Sequence, residues 1–177
     1  MNSKRITVAW LVSILLLVVF AGLSWLDLEL TPEAGAQKFE ISGYQVFPII
    51  SALLLLQGAA LLSSVLTPVA VGRAISGLMV PIMLAHAIFV VVGLQSNLQN
   101  AVAVQISEIT GVAGIASQAQ FVEFAGDTYL WVGYLLSIAV NLAVLLTKAV
   151  SKAQMSKTRH NREEIIDELD LWETQKY

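Results

Sequence analysis

Cysteine is absent from the 177 residues, which removes disulfides, thiolate metal sites, covalent haem attachment and a lipoprotein anchor. Charge is scarce at 13%, where a soluble domain carries roughly a quarter. So few charges exclude most soluble enzyme folds, and they exclude nucleic-acid readers, which need a basic face. There is no phosphate-binding glycine loop, no serine elbow and no pair of metal-ligating histidines, so hydrolase, kinase and metalloprotease chemistry has nothing to stand on. No catalytic, cofactor-binding or metal residue is expected. What the chain does have is apolar residue: 56%, with a mean hydropathy of +0.73, the composition of a membrane protein.

Four stretches are long and apolar enough to cross about 30 Å of hydrocarbon, which takes about 20 helical residues. They run Ile6–Leu26, about Val46–Leu66, Ala74–Leu94 and about Tyr129–Leu146. Helices are required, because backbone groups in lipid must bond within their own segment. The first stretch has the basic start of a secretory signal, but its apolar run is too long for one, and it reads as a retained helix. The fold class expected is therefore all-α: a four-helix membrane bundle over residues 1–148, with a short amphipathic outer segment, followed by a tail over 149–177.

Lys and Arg mark the side of each loop. Lys4, Arg5, Arg73 and the six basic residues from Lys148 onward fall on one side, and only Lys38 on the other. Both termini are thus expected in the cytoplasm. That side carries nine basic and six acidic residues, net +3; the outer segments 27–45 and 95–128 carry one and seven, net -6.

The first outer loop contains the turn signal Thr31, Pro32, Glu33, Ala34 and Gly35. The second, Gln95–Thr128, has Val102, Ile106 and Ile109 at helical spacing and reads as one or two short helices lying on the outer surface, broken at Gly111 and Gly114. In the tail, Asn161 and Glu164 form a variant capping box. A helix over about 162–173 would then place Ile165, Ile166, Leu169 and Trp172 on one face. Its other faces are acidic and would be repelled by anionic lipid, so those four residues are candidates for docking on a protein. The alternative is a short solvated tail.

Within the spans, His86 reads as the only ionisable side chain, a candidate for proton relay or ligand binding. The blander reading is a neutral histidine bonded to a Ser, Asn or Gln of a neighbouring helix. Met79 and Met83 share its helix and cannot supply an opposite axial ligand to haem. Gln57 and Asn141 are the other intramembrane polar candidates, suited to bonding across helix contacts. Pro81 removes one backbone donor and is expected to kink the third span. Gly77, Pro81, Ala85 and Gly93 form a lean face there, as do Gly133, Ser137 and Asn141 on the fourth.

The four-span order, Ser24–Trp25 closing the first span, the run ISGYQVFPIISALLLLQGAALL, Gly72–Arg73 opening the third span, and the acidic ending on Asp170, Leu171 and Trp172 together resemble the tryptophan-associated transmembrane proteins of actinobacteria. The last residues, Thr-Gln-Lys-Tyr, depart from that family's Asp-Pro-Thr-like finish. The resemblance implies a Gram-positive plasma membrane and no known activity. The function expected is a non-catalytic accessory subunit of a larger membrane assembly, in actinobacteria most naturally the cytochrome bc–cytochrome oxidase supercomplex. Its partners would be membrane lipids and other membrane-protein subunits. The alternative is a small oligomeric permease for a solute such as an aromatic amino acid.

Overall fold

Residues 3–32 and 36–151 are described by a computed structural model. Helix α1 spans Ser3–Gly22 and leads into strand β1, Ser24–Leu30. Strand β2 follows at Lys38–Ser42, then the single turn α2 at Gly43–Val46 and helix α3 at Ile49–Leu66. Helix α4 runs Val69–Thr110; α5 (Ile115–Gln118) and a 3-10 turn precede β3 (Val122–Asp127), and α6 closes the series at Leu130–Val150.

Among the described residues four helices are long and apolar enough to cross a membrane. Their closest contacts form a ring in which α1 lies between α6 and α3, and α4 also lies between α6 and α3. Leu55, Leu62, Val91 and Val92 stand exposed on the outside of the ring, which is where lipid would cover them. The start of α1, the end of α3, the start of α4 and the end of α6 meet at one end. The strands lie at the other.

The strands correct the all-α reading. Of the described residues 77% are helical, but β1 pairs antiparallel with both β2 and β3 in a sheet ordered β2-β1-β3. The first helix therefore stops at Gly22 instead of reaching Leu26. From there the sequence alternates: Leu28 and Leu30 are buried, while Asp27 is exposed, the period of two that a half-buried strand requires. Lys38 faces Glu29 across the β1–β2 register, with Nζ 2.9 Å from the carboxylate.

The outer segment is also corrected. It does not begin with short surface helices; the third span simply continues through Gln95–Thr110 as part of α4. At about 1.5 Å per residue, 42 residues make a rod of about 63 Å, twice the hydrocarbon thickness. No Gly or Pro interrupts residues 94–110, and Ala, Gln and Leu there are good helix formers. The rod ends where Gly111 adopts φ +69 and its N–H bonds back to the Ser107 carbonyl, a left-handed cap that suits glycine. Pro81 sits inside this helix on an exposed face.

Candidate functional site

The interior of the four-helix ring holds a closed polar circuit. Trp10 Nε1 donates to Gln57 Oε1 at 2.8 Å, and Gln57 Nε2 donates to Asn141 Oδ1 at 2.9 Å. Asn141 Nδ2 then donates to Ser13 Oγ at 2.9 Å, whose hydroxyl donates to the Trp10 carbonyl at 2.7 Å. All four residues are at most 1% exposed. The circuit ties α1, α3 and α6 together and begins and ends on Trp10. An unsatisfied polar group in hydrocarbon costs several kcal/mol, roughly, so each member is held by what it would lose elsewhere.

Gln57 and Asn141, singled out as separate polar candidates, are thus direct partners. His86 is not part of the circuit. It sits on α4 with Nε2 2.9 Å from the Tyr134 hydroxyl of α6, and both residues are buried. This corrects two expectations. The partner is neither Ser, Asn nor Gln, and His86 is not the only titratable group in the spans, since Tyr134 carries a phenol. Lys148, just past the fourth apolar run, is likewise buried in the last turn of α6. Its Nζ bonds Ser64 Oγ at 2.7 Å and lies 4.5 Å from the centre of the Trp10 ring, a cation–π arrangement.

The second spine is aromatic. Trp25, fully buried, lies 5.4 Å from Tyr134 and 6.1 Å from Phe47 between ring centres, and Phe47 lies 5.6 Å from Phe89. Trp25 Nε1 donates to the Phe20 carbonyl at 2.9 Å. A Cβ on Gly43 would strike the Trp25 ring, so α2 needs glycine there to approach. These contacts join the sheet to the helices. Of the lean faces, Gly133 accommodates Phe20 of α1, whereas Pro81 and Ala85 stand exposed.

Trp10, Ser13 and Tyr134 were the site residues missed. Their signal was present, because a Trp, Ser or Tyr inside an apolar span must find a partner. Which partner depended on helix order and depth. The tail candidates Ile165, Ile166, Leu169 and Trp172 lie outside the described residues. Among the described residues no group of three His, Cys, Asp or Glu is placed to hold a metal ion. Compared with protein-family models, curated proteins and solved structures, the chain finds no match.

Proposed function

We propose that this chain is a non-catalytic accessory subunit of a larger plasma-membrane complex, with both termini cytoplasmic as the Lys and Arg distribution requires. The observation that carries this reading is the closed circuit of Trp10, Gln57, Asn141 and Ser13. The bundle's deepest polar groups are spent on fastening three helices to one another, as in a part built to hold its shape. Beyond the apolar part of α4, its extension comes together with the sheet, where Val102 and Ile106 meet Leu26 of β1 and Val122 of β3. β2 and β3 are the sheet's edge strands, and edge strands offer backbone groups to a partner. The tail face of Ile165, Ile166, Leu169 and Trp172 would serve on the other side. The host to which the family resemblance points is the actinobacterial cytochrome bc–cytochrome oxidase supercomplex.

The test is affinity purification of the full chain in mild detergent, tagged at the N-terminus so that the tail is free. Stoichiometric recovery with other membrane subunits is expected, and Trp172→Ala should weaken it without affecting insertion. Recovery alone or as a homo-oligomer would overturn the reading. A second reading, a small oligomeric permease, is favoured by one observation, the buried His86–Tyr134 pair. On the accessory reading, His86→Ala lowers stability and leaves solute uptake by cells unchanged. Loss of uptake by a folded variant would favour the permease.

A further inference from the structure

At the end of the bundle where α1 and α4 begin and α3 and α6 finish, there is a cavity of about 410 Å³, within the roughly 300–1,000 Å³ of small-molecule sites. Lys4, Arg73 and Lys148 line it, and among the described residues no Asp or Glu does. Two nitrogens of Arg73, Nε and Nη2, are buried and have no hydrogen-bond partner among the described residues. A guanidinium left so is costly, because a buried unsatisfied donor forfeits its full hydration. Lys148 is held in the wall by Ser64 and the face of Trp10. Lys carries three donors, and among the described residues no carboxylate at the cavity takes them up. The first turn of α4, with its free N–H groups and positive dipole end, opens at the same place.

The geometry points to a binding site for a phosphate group here, supplied by the headgroup of an anionic phospholipid. Three cations converge on one cavity, and Arg presents a planar fork suited to phosphate oxygens. The cavity's surroundings select the lipid over the free ion. Val8, Val65 and Val69 line it and are each more than half exposed, so acyl chains could run down the bundle from a phosphate held by Arg73. The end of four apolar helices is also the depth at which phospholipid phosphates lie, and basic pockets between membrane helices take such headgroups.

The test is native mass spectrometry of the full chain, released from micelles doped with equal phosphatidylglycerol and phosphatidylcholine. The wild type should retain phosphatidylglycerol preferentially. Arg73→Gln should reduce that retention by about tenfold, the loss of a charge-assisted contact, and Arg73→Lys by less. Lys4→Gln, at an exposed position, should also reduce it and guards against misfolding of the Arg73 variants. Equal retention of the two lipids, or retention unchanged in both Arg73→Gln and Lys4→Gln, would overturn the site. Added inorganic phosphate should compete weakly. Protection from heat by phosphate alone, with no further gain from phosphatidylglycerol, would overturn the lipid as the source.

Discussion

At the scale of single residues, the molecule turns on a few polar side chains placed where polarity is expensive. Gln57 accepts from Trp10 and donates to Asn141, so Gln57→Leu strands a donor at one end and an acceptor at the other. A loss of about 1–3 kcal/mol is expected for the stranded groups, measured as resistance to SDS unfolding in mixed micelles. Asn141→Leu should cost about the same, and the double variant less than the sum, because the Gln57–Asn141 bond is lost only once. Strict additivity would show that the two residues act independently. Tyr134→Phe removes only the hydroxyl facing His86 and is expected to cost about 0.5–1.5 kcal/mol, with the same readout.

At the scale of elements, α4 is the unusual piece. Its last sixteen residues lie beyond the apolar run; they read as helical, but as separate surface helices and not as part of the span. Surface periodicity suggested a helix but said nothing of its continuity with the span. The absence of any breaker between Leu94 and Gly111 was the clue. Ala101→Pro should break the extension at a cost of about 3 kcal/mol, exposing the strand end of the molecule to protease while the four spans still insert; an unchanged digestion pattern would refute the continuous rod. Strand β2 and the turn α2 that follows it have their own signature in pH. The Glu29 carboxylate bonded to Lys38 raises the ammonium above its ordinary 10.5, and burial raises the Tyr44 phenol above its ordinary 10.0. In both cases the folded chain holds its proton more tightly than the unfolded chain. Their contribution is therefore complete below pH 10 and is lost as pH rises through the raised values. Thermal melts in detergent should be flat from neutrality to about that pH and fall above it, with Tyr44→Phe flattening part of the fall; Lys38 is fully exposed and adds little.

At the scale of the whole molecule, the chain's lack of cysteine makes sidedness directly measurable. Gln120→Cys lies just before β3, at the strand end of the molecule, and Val69→Cys at the opposite end, and both positions are exposed. A membrane-impermeant maleimide should label Gln120→Cys in intact cells and Val69→Cys only after permeabilisation. The reverse pattern would invert the topology proposed from Lys and Arg counts, and would place the Arg73 cavity at the outer leaflet.

The sequence by itself determined that four helices of this chain are long and apolar enough to cross a membrane. Length and hydropathy suffice for that, because each helix satisfies its own backbone whatever its neighbours do. It also held the alternation of Leu26 to Leu30 that makes a strand, although the apolar run before it disguised the boundary. Tertiary structure alone decided the rest. Whether Gln57 meets Asn141 or a serine, whether His86 meets Tyr134, and whether Arg73 shares a cavity with Lys4 and Lys148 depend on the order, direction and depth at which helices pack. Those choices are made by side chains far apart in the chain that must share one buried space, where a polar group without a partner costs more than the whole contact would otherwise gain.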